Sequence, residues 1–126
     1  MPTAHDLLPL TPLSHAVLLA LAEGELHGYA ILQDVERLTE GAVRPGTGTL
    51  YAALQRMLLE GVIEDGERAP APDEDQRRRY YRITALGREV ARAEARRLER
   101  VLEVAREKRL APAAAQPAGS GRGRRA

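Results

Sequence analysis

The sequence has no cysteine, no phenylalanine and no tryptophan, and only four of its 126 residues are tyrosines. Without cysteine there is no disulfide, no thiolate metal ligand and no cysteine nucleophile, and we expect a cytoplasmic protein. Without phenylalanine and tryptophan, the core must consist of leucine, valine, isoleucine and alanine. A pocket of stacked aromatic rings therefore has few residues to draw on.

The chain also has no apolar run long enough to cross a membrane. A basic region followed by an apolar segment, as in a secretory signal, is missing from the N-terminus. The histidines His5, His15 and His27 are scattered without metal-ligand spacing, and the adjacent Ser14 and His15 point about 100° apart on a helix. We therefore expect one domain with no catalytic residue, no metal and no cofactor.

Charge is unevenly distributed, although the formal net charge is only +1. Residues 1–40 contain one arginine and six acidic residues, whereas residues 69–126 contain fifteen basic and eight acidic residues. A GC-rich genome is an alternative explanation for the arginine content, but it does not explain why the arginines cluster. The asymmetry predicts an anionic partner for the second half.

The first part of the chain predicts three helices. Residues 1–10 lack periodicity and are expected to form a flexible arm. Thr11 and Pro12 are typical of a helix start. His27-Gly28 opens a second helix, and either Thr47 or Thr49 caps a third that runs to about Glu60.

A basic β-hairpin is predicted next. Residues 62–64 form its first strand, residues 67–76 its tip and residues 77–83 its return strand, within the run QRRRYYRIT. Strand alternation places Tyr81 and Ile83 toward the core, and Tyr80 and Arg82 toward solvent or the fourth helix. A basic hairpin after a helix with exposed threonine and tyrosine indicates a winged helix that contacts a nucleic-acid backbone.

Thr84 is expected to cap a fourth helix that extends to about Arg109. A heptad seam within it predicts a dimer with a second copy of the chain; the alternative is that the seam folds back on its own domain. The tail, residues 111–126, has a composition typical of disorder. The seam residues are Ala91, Ala95, Leu98, Leu102 and Ala105.

Three strings resemble motifs of one family, the PadR-like transcriptional regulators. LHGYAI (26–31) is similar to the start of the family's second helix, and GTLYAALQRM (48–57) with EGVI (60–63) to its recognition helix. RRYYRIT with Gly87 resembles its wing strand and the following helix cap. The three strings occur in the family's order and spacing.

The resemblance implies a mainly α fold with a small β-hairpin wing. A winged helix-turn-helix DNA-binding domain would span residues 11–83, and a long C-terminal dimerisation helix residues 84–110. It also implies a homodimer that represses transcription, with release by a small-molecule effector in some members. Multidrug-binding members sandwich planar drugs with a tryptophan, which this sequence lacks.

A winged helix places its third helix in the major groove of double-stranded DNA. For Thr47 and Thr49 the alternative role is that of an N-cap, for Tyr51 packing under the wing, and for Tyr29 packing in the core. Duplicated reading heads predict a pseudo-palindromic operator, and the alternative function is a winged helix that binds proteins only. The candidate DNA contacts are Tyr29, Arg44, Thr47, Thr49, Tyr51, Gln55, Arg56, Arg77 and Arg78.

Overall fold

The computed structural model describes residues 3–67 and 79–114. It divides between Ala95 and Arg96 into two compact units. The predicted fold class, mainly α with a small β-hairpin wing, is confirmed. After a short 3-10 turn at His5–Leu7, the described elements are α1 (Pro12–Ala20), β1 (Leu26–His27), α2 (Gly28–Leu38), α3 (Thr47–Glu60), β2 (Ile63–Asp65), β3 (Tyr80–Ile83) and α4 (Ala85–Glu107).

Local side-chain signals set several helix ends. The Thr11 hydroxyl accepts a hydrogen bond from the Ser14 amide at 3.0 Å, and Pro12 is the first residue of α1. His27 caps α2 by accepting from the Ala30 amide at 3.2 Å. At the other end of the domain, the Thr84 hydroxyl accepts from the Gly87 amide at 3.0 Å. These groups satisfy amides that the first helical turn leaves without partners.

The core of the first unit is aliphatic, as the composition predicts. The apolar faces of α1, α2 and α3 meet there, and the hairpin and the start of α4 contribute Val62, Ile63, Tyr81 and Val90. Burying such side chains stabilises the fold by about 1.5–3 kcal/mol each. The other buried members of the cluster are Ala16, Val17, Leu18, Leu21, Ile31, Val35, Leu50, Leu54 and Met57.

The sheet has one more strand than the sequence predicts. β3 lies in the centre and pairs antiparallel with β1 (Leu26 opposite Tyr81) and with β2 (Ile63 opposite Ile83). The prediction that Tyr80 faces solvent or α4 is wrong, because Tyr80 is buried and its ring meets His27 edge-on at 5.5 Å. His27, just before α2, thus covers the side of β3 that strand alternation assigned to solvent or to the fourth helix.

The N-terminal segment differs from the predicted flexible arm. Leu7, Leu8 and Leu10 pack against the core of the first unit. The Leu10 amide donates to Oε1 of Glu94 at 3.2 Å, and Glu94 is only 2% exposed. A buried carboxylate needs such donors, so this contact and the apolar packing together hold the segment in place.

The second unit contains the last turns of α4. An Arg100–Glu103 ion pair at 2.8 Å lies on its surface, and the Leu110 amide donates to the Ala105 carbonyl at 2.7 Å just after the helix end. Within the described residues, no helix is both long and apolar enough to cross a bilayer. The predicted tip of the hairpin falls largely on residues 68–78, and the predicted tail largely on residues from 115 onward, outside the described ranges.

Candidate nucleic-acid interface

The outward face of α3 carries a row of exposed side chains. Thr49, Ala52 and Gln55 lie on this face, opposite the buried stripe of Leu50, Leu54 and Met57. Leu59 continues the row toward the helix end and is 89% exposed. Thr49 and Gln55 therefore present hydroxyl and amide groups to the exterior, where an α-helix can read base edges in the major groove.

The start of α3 is not capped as the sequence predicts. Gly46 is the N-cap, with extended backbone (φ −71°, ψ 166°), and neither Thr47 nor Thr49 supplies the capping oxygen. Thr47 is already the first helical residue. Because glycine has no side chain, the amides of the first turn receive no side-chain cap. Such an end favours a bound anion, and both threonine side chains are exposed.

Three candidate residues come together between the starts of α2 and α3. Tyr29, Thr47 and Tyr51 line a small cavity of about 50 Å³ together with Gly28, Leu32 and Leu50. Tyr29 is 58% exposed, so much of its side chain is accessible to solvent. Tyr51 is half-buried, and its ring lies directly against Gly28. Tyr51 therefore packs against α2.

Arg56 does not project freely from α3. Its Nη2 donates to the Ser14 hydroxyl at 2.7 Å, and its Nε lies 3.9 Å from a carboxylate oxygen of Glu60. Ser14 is only 4% exposed. The guanidinium is thus turned toward α1, although half of the side chain remains accessible. Arg44, in contrast, is exposed in the connection between α2 and α3.

The described arginines of the hairpin are paired with carboxylates. Arg79 donates to Asp65 at 2.5 Å, and Arg82 donates to Glu64 at 2.7 Å. The hydrogen bond from Arg79 lowers the pKa of the Asp65 carboxyl below its ordinary value. The hydrogen bond between Arg82 and Glu64 raises the pKa of the Arg82 guanidinium above its ordinary value. Arg82, which strand alternation placed toward solvent or the fourth helix, is thus held by Glu64. Arg77 and Arg78 lie outside the described residues.

Glu25, which the sequence did not single out, holds the base of the hairpin. Its carboxylate accepts from the Glu67 amide at 2.8 Å and lies 3.9 Å from Nη1 of Arg82. A Cβ atom on Gly66 would come within 2.5 Å of the same carboxylate. Glu25 is forty-two residues from Glu67 in the chain, so no local pattern could have revealed the contact.

The predicted dimerisation residues have different environments. Ala91 packs against the core of the first unit. In the second unit, Leu98 is 42% exposed, Val101 52% and Leu102 40%. The second unit thus presents an apolar strip on α4, while Ala95 is exposed and Ala105 half-buried. In the described part of the chain, no cluster of three or more histidine, aspartate or glutamate residues could hold a metal ion.

Comparison with known proteins identifies relatives of this domain. Residues 17–93 match the model of the transcriptional regulator PadR-like family. A transcriptional regulator of Mycobacterium tuberculosis is 34% identical over 86 residues, 68% of this chain and 72% of that protein. An uncharacterized 37.1 kDa protein in a Streptomyces fradiae transposon is 38% identical over 85 residues. That alignment covers 68% of this chain but only 22% of the transposon protein.

A solved structure has the same fold. The structure of Bacillus subtilis PadR in complex with operator DNA superimposes with a TM-score of 0.57 at 23% sequence identity. The match covers 66% of this chain and 46% of that one.

Proposed function

This chain belongs to the PadR-like family of transcriptional regulators, and we propose that it is a sequence-specific repressor that binds double-stranded DNA as a homodimer. The family consists of regulators and not of enzymes. The observation that carries the proposal is the outward face of α3, where exposed Thr49 and Gln55 follow an N-terminal turn without a side-chain cap.

In the proposed complex, α3 enters the major groove with its first turns against the bases. The Gln55 amide is suited to the N6 and N7 edge of adenine, and Thr49 offers a hydroxyl and a methyl group. Arg56 is left out of this set because its guanidinium is turned toward Ser14. We therefore propose that Thr49 and Gln55, the uncharged side chains on the outward face of α3, read the bases.

The remaining candidates are proposed to contact the DNA backbone. The exposed Tyr29 and Thr47 lie beside the first-turn amides of α3, where a phosphate would meet two hydroxyls and a helix N-terminus. Arg44, exposed three residues before the start of α3, is proposed to supply a cation to the same backbone. Arg77 and Arg78 are proposed to add further phosphate contacts from the hairpin, since Arg79 and Arg82 are already paired.

A homodimer gives the protein two reading heads. We propose that the apolar strip of α4, with Leu98 and Leu102, associates with the same strip of a second copy. The operator would then be pseudo-palindromic, with half-sites about one helical turn apart. Binding over a promoter would exclude polymerase, which is the basis of the proposed repression.

Fluorescence anisotropy with duplexes from the promoter of the chain's own gene tests this function. The wild type is expected to bind one duplex in preference to a scrambled duplex of equal composition. Gln55→Ala should lose about 1–3 kcal/mol of discrimination at one base pair of each half-site. Gln33→Ala, the same change on the exposed surface of α2, is the control and should bind like the wild type.

Two outcomes would contradict parts of the proposal. Equal affinity for the promoter and scrambled duplexes would overturn sequence-specific binding, and the absence of binding to either would favour a winged helix that binds proteins only. In-vitro transcription from the same promoter distinguishes repression from activation, because a repressor lowers the transcript yield as its occupancy of the promoter rises. An increase in yield would overturn repression while leaving DNA binding intact.

A further inference from the structure

Ser14 and Arg56 form a polar contact between the first helix and the recognition helix α3. The Ser14 hydroxyl is almost fully buried and accepts from Nη2 of Arg56 at 2.7 Å. The two residues are forty-two positions apart, so the bond is a tertiary one. Hydrogen bonds from a charged donor are about twice as strong as neutral ones.

The rest of the packing of α3 against the core is apolar. Its buried stripe consists of Leu50, Leu54 and Met57 together with Ala53. Apolar burial is non-directional and roughly proportional to area. A hydrogen bond to a buried acceptor, in contrast, depends on distance and angle. The Ser14–Arg56 bond therefore adds a directional contact between α1 and α3 to the apolar packing.

We propose that Ser14 and Arg56 are a positioning pair that sets operator specificity without touching a base; this rests on the DNA-binding function proposed above. Ser14 is itself held, because its amide donates to the capping Thr11 hydroxyl at 3.0 Å. On the other side, Glu60 lies near the Arg56 guanidinium. The pair fixes α3, and α3 presents Gln55, the adjacent residue, to the DNA. Sites of recognition need support at the level of about 0.5 Å.

The role differs from the two obvious roles of an arginine on a recognition helix. An arginine that reads a base gives a preference for guanine at one position. An arginine that neutralises a phosphate steepens the salt dependence of binding by nearly one unit per contact, so its removal reduces the salt slope. A positioning pair does neither. Its loss lowers the ratio of specific to non-specific affinity evenly across the half-site and leaves the salt slope unchanged.

A double-mutant cycle on the full chain tests the proposal. Ser14→Ala, Arg56→Ala and the double variant are compared with the wild type by anisotropy on the preferred duplex, on a scrambled duplex and on a panel of single base-pair substitutions. Binding is measured well below the midpoint of thermal unfolding of each variant, so that a loss of stability alone does not move the affinity ratio. Gln55→Ala is the control for a base-reading residue.

Each single variant should lower the specific to non-specific ratio by about tenfold, and the double variant should lower it no further, as expected of coupled neighbours. The salt slope should match the wild type. Arg56 is half-exposed, so Arg56→Ala keeps the test informative even if Ser14→Ala fails to fold.

Three results would overturn the proposed positioning role of Ser14 and Arg56. One is a loss of guanine preference at a single position in Arg56→Ala, which would make Arg56 a base reader. Another is a reduced salt slope in the same variant, which would make it a phosphate contact. The third is an unchanged affinity ratio in both single variants. A wild type that prefers no duplex would instead overturn the proposed function, and the positioning role with it.

Discussion

Tyr51 of α3 rests directly on Gly28, the first residue of α2. A Cβ atom on Gly28 would overlap with the hydroxyl and the ring of Tyr51. The half-buried Tyr51 thus occupies the space that a side chain at position 28 would need, and the glycine is required for this close approach of two helices. The contact joins the starts of α2 and α3, beside the proposed phosphate site.

Gly28→Ala should weaken both stability and DNA binding. The added methyl group must displace Tyr51, and over-packing of this kind costs about 1–3 kcal/mol. Urea unfolding followed by circular dichroism measures the loss. Gly48→Ala is the matched control, because a Cβ atom there has no neighbour within 4 Å and the position is helical. It should stabilise the protein by up to about 1 kcal/mol. Equal stability of the two variants would contradict the argument.

Signals that act over a few residues were sufficient to predict much of the fold. Thr11 and Thr84 cap helices, and Gly61 ends α3 in the left-handed conformation at φ 80°. These features depend on side chains within three or four positions of the backbone groups that they satisfy. The buried stripe of α3 was predictable in the same way, from its helical period.

Contacts between distant residues could not be predicted in this way. β1 is only two residues long and exists because it pairs with β3, so residues 26 and 27 carry no strand signal of their own. The burial of Tyr80 depends on this pairing and was therefore missed as well. The same limit applies to the site. Exposure of Gln55 follows from the helical period, whereas the turn of Arg56 toward Ser14 depends on the packing of α3 against α1.

The arginines of the hairpin should differ in their effect on binding. Arg77→Ala combined with Arg78→Ala should reduce the salt slope of operator binding by nearly two units per subunit, one for each lost phosphate contact. Arg82→Ala is the control, since this guanidinium is already paired with Glu64 and Glu67, and its slope should equal that of the wild type. Anisotropy titrations at several salt concentrations give the slopes. An unchanged slope in the first variant would remove both residues from the interface.

The Asp65–Arg79 pair predicts a small acid-dependent loss of stability. The pKa of Asp65 is lowered in the folded protein, chiefly by the hydrogen bond from Arg79. The folded state therefore binds this proton less readily than the unfolded chain. The contribution is fully present above the ordinary carboxyl pKa of about 4 and is lost as the pH falls through the lowered value. Because the pair is exposed, it contributes at most about 1 kcal/mol.

Urea unfolding of Asp65→Asn between neutral and acidic pH measures this contribution. The variant should be less stable than the wild type at neutral pH, and the difference should shrink toward zero in acid. Arg79→Ala should give the same pH profile, and the double variant should add nothing to either single change. A difference between wild type and Asp65→Asn that stays constant with pH would rule out the pair as its source.

The apolar strip of α4 should determine the oligomeric state. Leu98→Arg combined with Leu102→Arg places two like charges on each copy at the proposed interface, and burying unpaired charges there is far more costly than the apolar contact can offset. Light scattering at micromolar concentration should report a dimer for the wild type and a monomer for this variant. The control is Leu110→Arg, because Leu110 follows the end of α4 and is 79% exposed. The control should remain a dimer.

The loss of the dimer should also change operator preference. Since a monomer has one reading head, the Leu98→Arg/Leu102→Arg variant should lose its preference for an operator with two half-sites over one with a single half-site. A monomeric wild type would overturn the dimer, whereas a variant that stays dimeric would place the interface elsewhere on the chain.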